Sequence, residues 1–475
     1  MTRHLLTLLL VSCCCLLEAR GSQIAEQVSK LDDPSIMDLV VKNGDAAVPD
    51  LIAALQGARP DLAAKALGLI KSKAAVSALL LISKTKDDEL RATVTWAIVQ
   101  CGGNESGTPL IALANDPYPA VRVAAINGLS NLQSAENDAA LKRAVADSNS
   151  MVRMAAVDVI RRNHRADLFS SLAPLLAYKV VRVPEKKAEG SSEKPKLVDQ
   201  VNWKEPNAQI RHAVICAVGE TKAAEAIPPL IEALEREDSF NRQAIVKAIE
   251  TIGPSAAGVC LGRIVPMVYD KDAFDNHMPI LITNGTLAVI AGRLGDARCV
   301  STLLSTLKIP RTELGKSKDV TELYIQTVQL LGKFKSDRAG RLLAELLKQS
   351  EIRQLTDAIQ EAIRLIGRPA ARPLAENMDD WRLAPIFLKL LREPELRTPK
   401  AEANLLKFLG LEADEVRLEA TDTLGLYIYE SILDEYDLPM LETMYLDPNG
   451  EVRACAKRWQ DKITRKLEMG ATHER

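Results

Sequence analysis

The chain has 475 residues, too many for one simple core at about 100–200 residues per domain. Its 61 Lys and Arg residues against 63 Asp and Glu residues give a formal net charge of −2, which argues against a nucleic-acid binder held by an overall basic field. Apolar residues make up 47% of the chain but aromatic residues only 4%. This composition argues against a disordered chain and is not typical of a β-sandwich or β-barrel, whose strands favour aromatic residues.

Residues 1–21 have the pattern of a secretory signal peptide. A basic start at Arg3 precedes an apolar stretch of 13 residues, 5–17, and a small-x-small cleavage pattern at 19–21. We therefore expect an extracytoplasmic protein, periplasmic or secreted. The residues before Cys13 also resemble a bacterial lipobox, so a membrane-anchored lipoprotein is the alternative.

A helical motif returns along the chain at intervals of 31 residues. Apolar residues at i, i+3 and i+7 give each copy one buried face. Between Arg153 and Arg211 the interval is 58 residues, one period plus an insertion of 27. The copies are Leu90–Ile98, Val121–Leu129, Val152–Ile160, Ile210–Val218 and Asn241–Ile249, with weaker copies at Val416–Leu424 and Val452–Trp459.

A second apolar helix precedes each motif, and proline or a polar turn often opens it. Examples are Val48–Leu55, Pro109–Leu113 and Ile227–Leu234. Short connections containing Gly219, Gly295 and Gly332 separate the helix pairs, and we predict that these glycines form left-handed helix C-caps. The unit is helix A, turn, helix B, turn.

These motifs resemble the HEAT-repeat family, in particular its short subtype known from phycobilin lyases. The family pattern places A-x-P-x-L-x-x-L in helix A and V-R-x-x-A-A in helix B, and the resemblance covers about residues 44–466. It implies an all-α fold, a right-handed α-solenoid of about 12 helical hairpins, because one hairpin cannot bury both of its faces without neighbours.

The period divides the chain into segments. We predict N-terminal capping helices at 22–43, a first half of the array at 44–178, an inserted loop or β-hairpin at 179–206, a second half at 207–466 and a polar tail at 467–475.

Three insertions fall in the turn from helix A to helix B, at 179–206, 269–278 and 309–319. Insertions on one edge of a solenoid often mark its binding face, although surface loops also lengthen by drift. We predict a partner-docking rim there. Its candidate contacts are Arg182, Trp203, Tyr269, Phe274 and His277.

Acidic residues precede the repeat arginines at a constant spacing. The pairs six residues apart are Asp116–Arg122, Asp147–Arg153 and Asp447–Arg453, and Asp238–Arg242 is a shorter version. We interpret each Asp as the cap of helix B and each Arg as a contact to a neighbouring turn of the stack. A basic ladder for a polyanion is the alternative. The predicted structural ladder comprises Arg91, Arg122, Arg153, Arg211, Arg242, Asp116 and Asp147.

Motifs for chemistry are missing from the sequence. Its one His-Glu pair, His473-Glu474, does not match the several pairs of iron-binding HEAT enzymes similar to deoxyhypusine hydroxylase. There is no C-x-x-C for zinc or haem attachment and no phosphate-binding loop. We predict that the cysteines are buried apolar residues, and a Cys260–Cys299 disulfide is the alternative. We predict no catalytic residue, no metal and no cofactor.

The sequence thus favours a non-catalytic scaffold or adaptor that binds a protein partner outside the cytoplasm. It predicts no nucleic-acid partner, and contact with a membrane only through an N-terminal lipid anchor. One alternative is an accessory enzyme or chaperone similar to phycobilin lyases, which hold a ligand in the solenoid groove. A DNA-binding solenoid like the alkylpurine glycosylases would need a basic concave surface.

Overall fold

The computed structural model describes residues 24–102, 106–184, 197–265, 274–309, 314, 317–349, 352–378, 380–431 and 438–473. The predicted signal peptide and the lipobox lie outside the described residues. The chain divides into two compact units, residues 1–252 and 253–475. In the part of the chain that is described, no helix has the length and hydropathy needed to cross a membrane.

Unit 1 is a series of helices interrupted by one pair of strands. Its α-helices are α1 (residues 24–28), α2 (Pro34–Lys42), α3 (Val48–Ala54), α4 (Pro60–Ile70), α5 (Val76–Ile82), α6 (Asp88–Cys101), α7 (Gly107–Leu113), α8 (Pro119–Gly128), α9 (Ala135–Val145), α10 (Ser150–Arg162), α11 (Phe169–Leu172), α12 (Ala208–Thr221), α13 (Ile227–Leu234) and α14 (Ser239–Ile252). Its strands are β1 (Tyr178–Pro184) and β2 (Leu197–Trp203). Short 3₁₀ helices span Gly44–Ala47, Lys73–Ala75, Leu129–Asn131, Ala166–Leu168, Ala173–Leu176 and Ala224–Ala226.

Unit 2 is helical throughout its described residues, apart from an isolated bridge between Leu314 and Ser317. Its α-helices are α15 (Ser255–Gly262), α16 (Phe274–Arg293), α17 (Val300–Thr306), α18 (Lys318–Lys333), α19 (Ala339–Gln349), α20 (Arg353–Ile366), α21 (Arg368–Glu376), α22 (Ala384–Leu391), α23 (Pro399–Phe408), α24 (Asp414–Ser431), α25 (Leu438–Thr443) and α26 (Gly450–His473). Its 3₁₀ helices include Ala297–Cys299, Trp381–Leu383, Pro394–Leu396 and Met444–Leu446.

Within each unit the helices pack in two layers. In unit 1 the even-numbered helices from α2 to α14 contact one another in succession, and the odd-numbered helices α7, α9 and α11 do the same in the second layer. In unit 2 the even-numbered series runs from α16 to α26, with α19, α21 and α23 in the other layer. This arrangement confirms the predicted all-α solenoid class.

The predicted periodicity identifies the buried face of helix B. Val121, Ala125 and Leu129 are fully buried, at the spacing i, i+4 and i+8, whereas Ala124, at the predicted i+3 position, is only half-buried. Ala63 and Ala156, at other helix-B positions, are also fully buried. Small side chains at these positions let neighbouring helices approach closely, which explains how the core forms with so few aromatic residues.

Two of the three predicted glycine caps are wrong. Gly295 has a positive φ of 93° after α16, but Gly219 lies inside α12 and Gly332 inside α18. Lys222 is the left-handed residue that ends α12, at φ 53°. Gly219 is needed for packing instead, because a Cβ atom there would lie 2.8 Å from the Cα atom of Ala248 on α14.

The insertions lie between a helix A and a helix B. The predicted β-hairpin is confirmed: β1 and β2 pair antiparallel between α11 and α12, and the segment 185–196 lies outside the described residues. The second insertion is shorter than predicted, because α16 begins at Phe274, within the expected loop 269–278. The third connects α17 to α18.

Candidate binding site at the base of the hairpin

The arginines of successive helices B bind acids of the following repeat. The Arg91 guanidinium donates to both carboxylate oxygens of Asp116, at 3.0 and 2.9 Å. The Arg122 guanidinium does the same to Asp147, at 2.8 and 2.7 Å, and its Nη1 donates to the Asp116 carbonyl at 2.8 Å. Each guanidinium therefore joins its own turn to the turn of the next repeat.

The aspartates do not cap helix B as we expected. The Asp116 carboxylate accepts from the amide of Tyr118, which is itself the N-cap residue of α8. The Asp147 carboxylate accepts from the amide of Asn149, and the Asn149 side chain caps α10. The aspartate lies two residues before the N-cap residue, where its side chain stabilises the turn and also reaches the arginine of the preceding repeat.

Charge pairing lowers the pKa of these acids. Burial acts to raise the pKa of Asp116, but the hydrogen bonds from Arg91 and from a backbone amide outweigh it, so the pKa lies below its ordinary value. The pKa of Asp147 is lowered in the same way, with Arg122 as the partner. Because the guanidinium groups are bound by protein carboxylates, these arginines serve the stack and do not form an open basic surface.

Glu205 continues this series across the hairpin insertion, although it is not among the predicted ladder residues. The Arg153 guanidinium donates to Glu205 at 2.5 and 2.9 Å, although the two residues are 52 positions apart. The hydrogen bond to Glu205 is the largest cause of the raised pKa of Arg153. A signal was present, since Glu205 precedes Arg211 by six residues, the spacing of Asp116 and Arg122.

Arg211 makes the corresponding contact with Glu237, not with the predicted Asp238. Its guanidinium donates to Glu237 at 2.5 and 3.0 Å and to the Glu205 carbonyl at 2.9 Å. Asp238 accepts from the amide of Asn241, and Arg242 donates to the Glu237 carbonyl at 3.2 Å. The repeat arginines thus follow one pattern on both sides of the inserted hairpin.

Aromatic rings fasten the hairpin to this row of ion pairs. The rings of Tyr178 and Trp203, which face each other at the open end of the hairpin, are 5.1 Å apart. The Arg211 guanidinium lies over the Trp203 ring, 4.4 Å from its centroid. This geometry allows a cation–π interaction and fixes the base of the hairpin on α12.

A second ring pair lies next to the first along α12. The His212 ring stacks on the Phe240 ring, with centroids 4.4 Å apart and an interplanar angle of 24°. The His212 Nδ1 atom is 3.1 Å from the Asn241 Oδ1 atom. Phe240 remains 68% exposed. We call Tyr178, Trp203, Arg211, His212 and Phe240 the hairpin-base cluster.

Two of the five predicted partner contacts have side chains that the structure describes. Arg182 is exposed on β1, and Trp203 is half-buried at the base of the hairpin. Tyr269 lies outside the described residues. Phe274 and His277 belong to α16 in unit 2, where their side chains are not described. His212 and Phe240 were missed because nothing in the sequence shows that consecutive helices B stack these two rings.

Among the described residues, no three or more His, Cys, Asp or Glu side chains are arranged to hold a metal ion. Cys260 and Cys299 are free thiols, and burial raises the pKa of each to about 11. Both side chains are fully buried and pack as small apolar groups.

Known structures with a related arrangement share little sequence with this chain. The complex of CpcE and CpcF of phycocyanin lyase from Nostoc sp. PCC7120 is 16% identical, over 54% of this chain and 94% of that chain, with a TM-score of 0.28. A Kap121p mutant is 11% identical, over 92% and 49%, with a TM-score of 0.46. A model of the AP-3 complex is 13% identical, over 94% and 87%, with a TM-score of 0.42. Similarity at this level carries no functional conclusion.

The sequence comparisons concern the repeats themselves. No curated protein matches the chain significantly. The family model of HEAT repeats matches residues 107–188 and 195–265, which include the ladder from Asp116 to Arg242 and both strands of the hairpin. The residues of these two ranges therefore match HEAT repeats, a helical architecture that is typical of protein-interaction scaffolds.

Proposed function

We propose that this chain is a non-catalytic scaffold that binds a protein partner through the hairpin-base cluster. The observation that carries the proposal is the exposed Phe240 ring stacked on His212, beside a Trp203 ring that contacts Arg211. Trp and Tyr are among the residues that contribute most to binding at protein interfaces, and the Trp203 and Tyr178 side chains are only half-buried here. An exposed Phe next to them adds apolar surface that a partner can cover.

The way the hairpin is inserted supports this proposal. Glu205 takes the role of the repeat acid, so the insertion does not interrupt the row of ion pairs between Arg153 and Arg211. The helical stack thus keeps its internal contacts, and the hairpin adds surface at the edge where helix A turns into helix B. An added loop on an intact scaffold is typical of a binding feature.

Affinity capture tests the proposal with two variants matched in exposure. Phe240→Ala removes a side chain that is 68% exposed, and the control Leu81→Ala removes one that is 70% exposed elsewhere in unit 1. Because neither side chain fills the core, both variants should fold normally. We expect the wild type and Leu81→Ala to retain the same proteins from the native extract, and Phe240→Ala to lose at least one of them. Equal sets from all three baits would refute the proposal.

We further propose a location outside the cytoplasm, supported by the signal-peptide pattern of residues 1–21. Cell fractionation and sequencing of the mature N-terminus test it. Cleavage near Ser22 fits a released protein, whereas a lipid on Cys13 fits the lipoprotein alternative. An uncleaved chain in the cytoplasm would refute both. A visible chromophore bound to the purified protein would replace the scaffold with the lyase-like function.

A further inference from the structure

The hairpin has backbone groups that point away from its own ladder. The Lys204 amide donates to the Ala177 carbonyl at 2.9 Å, and the register with Tyr178 opposite Trp203 places these two residues opposite each other. In antiparallel strands, hydrogen-bonded and non-hydrogen-bonded pairs alternate. The N–H and C=O groups of Tyr178 and Val180 are therefore directed to the outer edge of β1.

No other strand uses this edge in the described part of the chain. The sheet consists of β1 and β2, and neither Tyr178 nor Val180 has a further backbone hydrogen bond among the described residues. Val180 and Val181, on opposite faces of the strand, are 40% and 43% exposed. An unpaired edge with β-branched residues is a template for another strand, and a two-stranded hairpin in water gains stability when a third strand is added.

Charge decides which strand fits the edge. Lys179 and Arg182 are exposed on β1, and Lys204 is exposed at the base of the hairpin. A second copy of β1 would bring two more cations and no acidic side chain to this edge, and like charges on neighbouring strands are destabilising. An extended segment with acidic side chains on the face of Lys179 would form opposite-charge pairs there.

We propose that β1 accepts an extended acidic segment of a protein partner as a third strand of the sheet. This inference rests on the proposed scaffold function, and it specifies the class of partner and its mode of binding. Main-chain hydrogen bonds to Tyr178 and Val180 supply affinity, as in other cases of strand addition. Side chains alternate along β1, so Lys179 shares one face with Val181, and Val180 shares the other with Arg182. A strand that alternates valine and glutamate therefore places its acids on one face opposite a cation and its valines on the other face.

Binding of a defined peptide to the full chain tests the proposal. The probe is an acetylated and amidated seven-residue peptide that alternates valine and glutamate, and its counterpart replaces glutamate with lysine. We expect the glutamate peptide to bind about fivefold more tightly at low salt, with a smaller difference at high salt. Hydrogen exchange should slow at the Val180 amide on binding. Equal affinity of the two peptides, or no protection at Val180, would overturn the proposal.

Substitutions at Val180 separate backbone pairing from general attraction. Val180→Pro removes the outward N–H but no hydrogen bond of the hairpin, and Val180→Thr keeps both the N–H and the β-branched shape. We expect the proline variant to bind the glutamate peptide about tenfold more weakly and the threonine variant as tightly as the wild type. Slow exchange of the Val181 amide shows that the hairpin is intact. Wild-type binding by Val180→Pro would refute strand addition.

Lys179→Glu gives a second measurement, which does not depend on tolerance of proline. It should lower the preference for the glutamate peptide, because it replaces the cation of one face while Arg182 stays on the other. An unchanged preference refutes the charge argument. If sedimentation shows dimers that Val180→Pro abolishes, the occupant of the edge is a second copy and the acidic partner is refuted. The affinity-capture experiment tests the scaffold function independently of the peptides. That function is refuted if Phe240→Ala retains every protein that the wild type retains.

Discussion

The ion pair of Arg211 and Glu237 offers a sharp test of how the repeats hold together. Arg211 lies on α12, and Glu237 lies in the turn before α14. Both side chains are buried, and Glu237 is only 3% exposed. The Arg211 guanidinium donates twice to Glu237 and also to the carbonyls of Glu205 and Pro206, at 2.9 and 3.2 Å. Replacing Arg211 by Met keeps much of the apolar stem and removes all of these donors.

The expected cost follows from what is left behind. In Arg211→Met, Glu237 keeps a hydrogen bond from Asn241, at 3.1 Å, but its charge loses its cationic partner in a buried site. Breaking a buried pair from one side costs about 3–5 kcal/mol, because the remaining charge stays desolvated and uncompensated. In the double variant Arg211→Met, Glu237→Met no charge is left unpaired. We therefore expect the double variant to be more stable than Arg211→Met alone.

The control is an exposed pair between neighbouring helices of the same unit. Arg161 on α10 and Glu220 on α12 are 3.4 Å apart, with side-chain exposures of 36% and 40%. Arg161→Met should cost only about 0–1 kcal/mol, because solvent screens the pair. Native-state hydrogen exchange of α12 and α14 amides reports the local free energy of opening, which suits a chain with two compact units. A loss below about 1 kcal/mol in Arg211→Met, or an equal loss in the double variant, would refute this reasoning.

Three further predictions concern core packing, close helix contacts and pH. Leu129→Ala should cost about 2–5 kcal/mol in thermal or urea unfolding, since Leu129 is fully buried; a negligible shift would contradict its core position. Gly219→Ala should lower the free energy of unfolding by about 1–3 kcal/mol, because its Cβ atom would lie 2.8 Å from Ala248. The control Gly258→Ala has its nearest atom 3.9 Å away and should raise the free energy of unfolding by about 0.5–1 kcal/mol. Equal effects of the two variants would contradict the packing account. The pKa of Asp147 is lowered in the folded state, so its contribution to stability is present above the unfolded pKa of about 3.9 and is lost as pH falls through the folded value. Asp147→Asn should therefore make the free energy of unfolding less dependent on pH in that acidic range. An unchanged pH profile would contradict the pairing with Arg122.

Much of the repeat architecture follows from the sequence because helix formation and burial depend on residues close in the chain. The spacing of Val121, Ala125 and Leu129 on one helical face requires neighbours on that face, and a 31-residue period supplies them. The β-hairpin was also predictable, because β-branched residues flank a charged, Gly- and Ser-rich centre.

What the sequence left open depends on contacts between helices far apart in the chain. Arg153 finds Glu205 across 52 residues, and only the stacking of α10 against α12 brings them together. The sequence around Gly219 resembles a helix cap, since its contact with Ala248 on another helix cannot be seen in the order of the residues. The rings of His212 and Phe240 pair for the same reason. Local residue order determines which segments become helices and which face each helix buries, whereas the packing of those faces determines the ion pairs, the ring contacts and where the hairpin attaches to the helices.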